Sequence, residues 1–525
     1  MAEKLLFTLN DLYKTLKHHD TDILKHFDDE NLSDFDYLFY AINSDIMSNG
    51  LSIVINLLFN NETTSGIDNN ARALIEGFTI LKMLSEGDIS DVQLKIFRSH
   101  FYIVEFENFK KWIKNEQEHP FFSEVKKRYD NAIDFLKKYY NCTKKDLLNY
   151  IIGVDDPLFY LKKTLKDNIS FTNLLYKYPI FGEKTLRVYE FFSIMIHPRY
   201  ENSLEFEKAI QNLKKGYLNV VLNYLIEYLK AGKLLIIDKN EPTFEDDFSH
   251  NQLLKNNVNN IEQVNIAFSM LIEDLCILKN GSDGFDIFYL KQTCSLLKDM
   301  MLCESLGYNE QVISKFKSFI EMASIYGLVN SVGTPEEYRF LKRGFMCSSR
   351  LQLVEHLKSL NLFGEKVDFP DLIDLFEHYY SIKFNISSYE KFLENMKKNS
   401  LYFLNLNEDK NYNQYVKNAI IEIFENEIIQ NEIFGLYKLS KDMNHASGYN
   451  FNSNPGISEY YSHVCMHAVF TWLINFVLRS SCVVEKEDHK PKNVGKVLEF
   501  FELLLKSEIE AAKIIGKKYE QEYNK

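Results

Sequence analysis

Proline, glycine and cysteine are all scarce in this sequence of 525 residues, which holds nine prolines, twenty glycines and seven cysteines. Because proline and glycine interrupt regular structure, their scarcity favours long, uninterrupted helices. The cysteines are odd in number and scattered, and no two of them form a Cys-x-x-Cys pair. The sequence therefore predicts neither a disulfide framework nor a structural zinc site of the usual spacing.

The glycine-rich motifs of nucleotide-binding enzymes are also missing. There is no Gly-x-x-x-x-Gly-Lys-Ser/Thr string and no Gly-x-Gly-x-x-Gly string that opens a helix after a strand. This disfavours ATP-driven and nicotinamide-dependent chemistry, and we expect no cofactor. The formal net charge of −13 opposes a general grip on nucleic acid, which needs a basic surface.

Signals for export or for membrane insertion are not expected either. The amino terminus carries an acid at Glu3 and only a short apolar run, unlike a secretory signal. The strongest apolar stretch, residues 468–478, is shorter than the roughly 20 residues that a spanning helix needs. We therefore expect a cytoplasmic protein that does not associate with membranes.

What the sequence does have is helical periodicity over most of its length. Hydrophobic residues make up 46% and charged residues 26%, as in ordinary globular proteins with sizeable cores. Apolar residues recur at helical spacing, for example over residues 33–60 and 204–230. We expect a break at Asn49 and Gly50 and a polar loop over residues 60–70. The predicted fold class is all-α.

A polar, asparagine-rich stretch over residues 238–260 is the best linker candidate. It divides the chain into an N-terminal helical domain, residues 1–237, and a C-terminal region, residues 261–525. Each part is long enough to bury a core of its own.

The C-terminal part resembles the N-terminal part in three features that occur in the same order. Residues 293–302 can be laid over residues 71–80, residues 437–445 over residues 189–197, and a long apolar helix follows in both. This pattern predicts two tandem related helical bundles, of which the second is a degenerate copy. In this alignment Cys294, Lys298 and Lys441 replace Arg72, Glu76 and Ser193, listed in that order.

Four polar residues of the first part are expected to form a cluster. Ser193 and His197 lie four apart on one face of a predicted helix that stops at Pro198, and Arg72 and Glu76 share a face of an earlier helix. A histidine in so apolar a segment needs a polar partner. The cluster would serve either as a buried network that fixes helix packing or as a catalytic group.

The Arg-x-x-x-Glu spacing of Arg72 and Glu76 and the Tyr-x-x-x-Ser-x-x-x-His-Pro string from Tyr189 resemble the bacterial domain-of-unknown-function family 5677. The match covers residues 71–76 and 189–198, and the second half of the chain weakly. The resemblance implies an all-helical bacterial or archaeal protein and brings no established reaction with it. It is also broadly similar to the helical modules of abortive-infection and HEPN-type proteins, many of which act in defence against phage.

Two functions remain open from the sequence, which does not decide whether the chain is an enzyme. The first is a non-enzymatic protein of anti-phage defence that senses or assembles through its surfaces, with a protein partner or as a homo-oligomer. The second is a metal-independent, HEPN-like endoribonuclease acting on RNA. In it His197 would be the general acid or base, and Arg72 or Arg199 would stabilise the charge that develops on the phosphate.

Two further motifs are weaker. Arg350 and His356 have the order and spacing of a HEPN nuclease motif, but in a helix six residues turn the histidine by about 240° onto another face. Glu459, His463 and His467 lie four apart along one helix face, a spacing that can bind a transition metal. Because the sequence lacks His-Glu-x-x-His, and two histidines on one face are usually surface or core, no metal is predicted.

Overall fold

The fold is all-α, as the computed structural model of the chain shows. Of the residues it describes, 93% are helical and none forms a strand. The described residues are 8–26, 32–60, 65–86, 90–112, 121–152, 171–196, 204–232, 243–250, 252–278, 284–330, 335–359, 370–384, 387–398, 412–423, 426–443, 455–484 and 493–523.

The helices of the first part begin with α1 and end with the short α10. They are α1 Leu9–His26, α2 Asp34–Asn60, α3 Ser65–Ser85, α4 Asp91–Trp112, α5 Phe122–Tyr140, α6 Lys144–Ile152, α7 Phe171–Lys177, α8 Thr185–Met195, α9 Leu204–Ala231 and α10 Phe244–His250.

The helices of the second part follow without a strand among the described residues. They are α11 Gln252–Leu278, α12 Gly284–Ser305, α13 Asn309–Asn330, α14 Pro335–Ser359, α15 Pro370–Leu375 with its continuation through the π-helical turn Phe376–Tyr380 into Ser381–Phe384, α16 Tyr389–Lys398, α17 Tyr412–Ile423, α18 Glu427–Met443, α19 Pro455–Val484 and α20 Val494–Tyr523.

The two most apolar helices, α2 and α19, lie mainly inside the fold. The segments Phe35–Leu58 and Gly456–Leu478 have mean hydropathies of 1.2 and 1.3, so both are long and apolar enough to cross a membrane. The expectation that no segment of the chain is long enough to span a bilayer is therefore wrong. In an 18-residue window of each segment, 78% and 67% of the residues are buried inside the fold. Helices that are apolar all round are typical of the core of a large protein, so packing accounts for their composition.

Two local predictions in the first part are wrong. Helix α2 continues through Asn49 and Gly50 without a break. The glycine lets neighbouring side chains pack closely against the helix, since a Cβ added to Gly50 would lie 3.0 Å from Leu225 and 3.2 Å from Leu16. Helix α3 begins at Ser65, so most of the predicted polar loop is helical. The buried Asp68 explains part of this, since Lys214 donates to its Oδ2 at 2.7 Å.

The predicted linker over residues 238–260 is also mostly helical from Phe244 onward. Helix α10 begins with reciprocal hydrogen bonds of 3.0 Å between the backbone N–H groups and side chains of Thr243 and Asp246. Helix α11 follows almost at once, with Leu254 buried. The segment is anchored to α1, because the Tyr13 hydroxyl donates to Asp247 at 2.7 Å. The polar segment therefore connects helices, and it packs against the rest of the fold.

The two parts of the chain pack directly against each other. Helix α3 contacts α13, and this pair is flanked by contacts of α2 with α13 and of α3 with α12. Further out, α4 packs against α18 and α8 packs against α14. We call the four inner helices, α2, α3, α12 and α13, the central junction.

Candidate functional site

Arg72 and Glu76 form an ion pair along one face of α3, as their spacing suggested. The Nε of Arg72 lies 3.0 Å from Oε1 of Glu76, whose side chain is 0% exposed, whereas that of Arg72 is 14% exposed. Burial, the largest single effect, works against the charge on Arg72, but Glu76 and Tyr189 together outweigh it and raise the pKa of the guanidinium. Arg72 therefore keeps its positive charge beside Glu76.

Tyr189 is the residue through which α8 reaches this pair. Its hydroxyl donates to Oε1 of Glu76 at 3.0 Å, and the Arg72 guanidinium carbon lies 5.5 Å from the centre of its ring. Burial and the Glu76 charge raise the pKa of Tyr189 well above its ordinary value, so the phenol stays protonated and keeps donating. Arg72, Glu76 and Tyr189 form what we call the first triad.

Ser193 does not join the first triad. Its Oγ is buried and makes no hydrogen bond to a residue that the structure describes. Helix α8 ends at Met195, and His197 and Arg199 lie outside the described residues. Of the four predicted site residues, the structure thus brings together Arg72 and Glu76, and adds Tyr189. The signal for Tyr189 was present, since it precedes Ser193 by one helical turn in the same motif.

A second group of the same kind, a cation, a glutamate and a tyrosine, lies in the second part of the chain. On α13 the Nζ of Lys317 is 3.7 Å from Oε1 of Glu321, again one helical turn apart. The hydroxyl of Tyr437, on α18, donates to the same Oε1 of Glu321 at 3.3 Å. We call Lys317, Glu321 and Tyr437 the second triad. The sequence pattern pairs Tyr437 with Tyr189, but it does not pair α13 with α3.

The two triads are electrostatic neighbours. Burial and the charges of Arg72 and Lys441 lower the pKa of Lys317, while Glu321 and Glu76 act in the opposite direction. Each glutamate accepts a hydrogen bond from a tyrosine and pairs with a cation. Chemically this arrangement is suited to holding helices together, because the polar groups are directed at one another.

Beyond the triads, the central junction is joined by a chain of buried polar contacts. Lys315 of α13 is its centre: the Nζ donates to Ser52 at 2.6 Å and lies 3.2 Å from the Asp299 carboxylate. Burial, the largest single effect, opposes the Lys315 charge, but Asp299 and Cys303 together outweigh burial and raise the pKa of the ammonium. Further contacts across the junction include Asn70 to Gln311 at 2.5 Å, Gln311 to Ser48 at 2.9 Å and Asn69 to Ser318 at 2.5 Å.

Glu459, His463 and His467, which the sequence places on one helix face, have different surroundings in the fold. Glu459 is exposed on α19, whereas His463 lies beside Glu304 of α12 and Glu508 of α20. Burial opposes a charge on His463, but hydrogen bonds to the two carboxylates raise its pKa to about 10. His467 is partly buried, and this burial lowers its pKa. Sequence spacing found one of the three residues that meet here.

The Arg350 and His356 string lies within the single helix α14, and the side chain of His356 is outside the described part of the chain. Comparison with known proteins adds nothing to these observations: no family model, curated protein or solved structure matches this chain. The resemblance to family 5677 thus stays a prediction from the motifs at Arg72 and Tyr189.

Proposed function

We propose that this chain is an intracellular helical module of bacterial anti-phage defence, of the abortive-infection type, which senses or assembles through its surfaces. The observation that carries the proposal is that Arg72 and Glu76, two of the four residues of the predicted polar cluster, are engaged in packing. Glu76 is fully buried, forms an ion pair with Arg72 and accepts a hydrogen bond from Tyr189. Side chains that saturate one another inside the fold favour a structural role over action on a substrate.

We also propose that the chain arose by internal duplication. Helices α2 and α3 end at Asn60 and Ser85, and α12 and α13 end at Ser305 and Asn330, so both ends recur after 245 residues. Lys317 and Glu321 follow Arg72 and Glu76 by the same interval. In this pairing α2 and α3 of the first part correspond to α12 and α13 of the second. This pairing replaces the earlier alignment with Cys294 and Lys298.

Duplication gives the proposed module the organisation of a two-fold dimer within one chain. The reciprocal contacts of α2 with α13 and of α3 with α12 are those of an interface that uses the same patch on both sides. The buried centre would keep both halves in one geometry. Their outer surfaces would be available to a partner: Leu503 and Ile514, three turns apart on α20, are 65% and 67% exposed.

The test compares stability with protection from phage in cells that express the full chain. Arg72→Ala and Tyr189→Phe should lower the thermal midpoint of the purified protein and reduce protection to the extent that they destabilise it. His197→Ala should keep protection wherever it keeps stability. The control is His378→Ala, since that histidine is on the surface with 65% of its side chain exposed.

One result would overturn the proposal in favour of the endoribonuclease. If His197→Ala folds with an unchanged thermal midpoint but loses protection, and the wild-type protein alone cleaves RNA without added metal, the function is catalytic and centred on His197.

A further inference from the structure

Three helices from distant parts of the sequence bring an imidazole and two carboxylates together. The Nδ1 of His463, on α19, lies 2.6 Å from Oε2 of Glu508 on α20 and 3.1 Å from Oε1 of Glu304 on α12. The three ligand-type atoms all lie within 4.8 Å of one another. Ser462 adds a contact of 3.4 Å from its hydroxyl to the same oxygen of Glu304.

The three side chains of this group are mostly buried but keep some exposure to solvent. The side chains of His463, Glu304 and Glu508 are 16%, 12% and 12% exposed, so small ions can reach them while most of the surrounding water is excluded. Two carboxylates this close repel each other in such a setting. One imidazolium offsets this repulsion in part, whereas a divalent cation would neutralise both carboxylates.

We propose that Glu304, His463 and Glu508 bind a divalent transition-metal ion, Zn²⁺ or Mn²⁺, through His463 Nδ1 and one oxygen of each glutamate. The mixed nitrogen and oxygen donor set suits these ions, since imidazole favours zinc and carboxylates favour manganese. The ion takes the place of the proton that Nδ1 now shares with the two carboxylates. Metal–ligand distances of about 2.0–2.1 Å place donor atoms roughly 3 Å apart. Oε1 of Glu304 already lies 3.1 Å from Nδ1 of His463, and Oε2 of Glu508, at 2.6 Å, would move slightly outward.

The ion would tie the C-terminal helix α20 to α12 and α19. The three ligands come from three helices, so binding the ion links elements that otherwise touch through apolar side chains such as Phe501 against Phe470. The remaining coordination positions would hold water. The site is independent of the defence function proposed above, because it uses none of the residues on which that proposal rests.

Titration calorimetry on the full-length protein, stripped with a chelator, tests the site with Zn²⁺ alone and with Mn²⁺ alone. We expect one ion to bind per chain and to raise the thermal midpoint. His463→Gln and Glu508→Gln should each weaken binding at least about 100-fold, since even loss of a ligand's hydrogen-bond partner costs about 10–100-fold. The matched control is His467→Gln, one helical turn away on α19, which should bind as the wild type does.

Absence of binding by the wild-type protein would overturn the site and leave a histidine held between two carboxylates. Binding that survives both substitutions, or that is lost equally in His467→Gln, would also overturn it. Should His463→Gln fail to fold, Glu304→Gln and Glu508→Gln decide the matter, because glutamine keeps the volume of glutamate and an acceptor oxygen for His463.

Discussion

At the scale of single residues, two tyrosine hydroxyls form hydrogen bonds that join neighbouring helices. Tyr189 and Tyr437 each donate to a buried glutamate on a neighbouring helix, α3 or α13. A hydrogen bond to a charged acceptor is worth more than a neutral one, and its loss leaves a buried carboxylate less well satisfied. The two tyrosines therefore fix how α8 and α18 dock on the central junction.

Removing one hydroxyl should accordingly be costly. We expect Tyr189→Phe to lower the free energy of unfolding by about 1.5–3 kcal/mol, because the ring still packs while Glu76 loses a donor. Urea unfolding measures the change, and Tyr176→Phe, whose residue is 65% exposed, serves as the control. A loss no larger than that of the control would show that the hydroxyl does not stabilise the fold.

Asp20 is expected to make stability depend on pH. Burial raises the pKa of its carboxyl to about 7, against a partly compensating hydrogen bond of 3.0 Å from the Ser44 hydroxyl. The folded state thus holds the proton more tightly than the unfolded state, in which the pKa is near 4. The stability contributed by this proton is complete below about pH 4 and is lost as the pH rises through about 7.

Asp20→Asn removes this dependence while keeping an acceptor for Ser44. We expect the variant to exceed the wild type in unfolding free energy at pH 8, by up to about 4 kcal/mol, and the gain to shrink towards pH 4. Urea unfolding at several pH values checks this. Asp22→Asn is the control, since that carboxyl is 42% exposed on the same helix. A gain that is equal at all pH values would contradict the explanation.

At the scale of helices, a glycine on α3 determines how closely α2 and α3 approach each other. A Cβ on Gly77 of α3 would lie 2.9 Å from Cγ1 of Ile46 on α2, closer than such atoms approach in proteins. By contrast, Gly216 of α9 has nothing within 4 Å of the corresponding position. The same residue type therefore has opposite consequences in the two helices.

Alanine substitutions should separate these two cases. Gly77→Ala is expected to cost about 1–3 kcal/mol by forcing α2 and α3 apart. Gly216→Ala should gain about 0.5–1 kcal/mol, because alanine loses less backbone entropy in a helix. Thermal or urea unfolding of both variants gives the comparison, and a stabilising Gly77→Ala would refute the close approach.

At the scale of the whole molecule, the buried charge pair in the central junction couples the two halves. Lys315 and Asp299 have side chains that are 1% and 0% exposed, and Lys315 also donates to Ser52 of the first half. A charge left alone in such a place is far more harmful than the absence of both charges. Opening the junction should therefore loosen both halves together.

Lys315→Met tests this coupling. We expect a cost of about 3–5 kcal/mol, because Asp299 would be left buried and unpaired. Hydrogen–deuterium exchange should increase in α2 and α3 as well as in α12 and α13. The double variant Lys315→Met/Asp299→Leu should recover most of the loss. Faster exchange confined to the second half would show that the halves unfold independently.

The all-α class and most helices were predictable because a helix is specified locally. Helix α9, Leu204–Ala231, agrees with its predicted range to within one residue, since its apolar residues recur every three to four positions. The pairing of Arg72 with Glu76 follows from the same geometry, because residues four apart share a helix face. These features need no knowledge of the rest of the chain.

The partners that come from other helices required the packed structure. Tyr189 meets Glu76 across 113 residues, and His463 meets Glu508 across 45 rather than the neighbouring Glu459. Apolar helix faces can pack together in many registers and angles, so local periodicity does not select one of them. The same limit explains why the sequence wrongly predicts a helix break at Gly50. Whether a glycine ends a helix or allows a neighbouring helix to pack closely depends on the residues that lie opposite it.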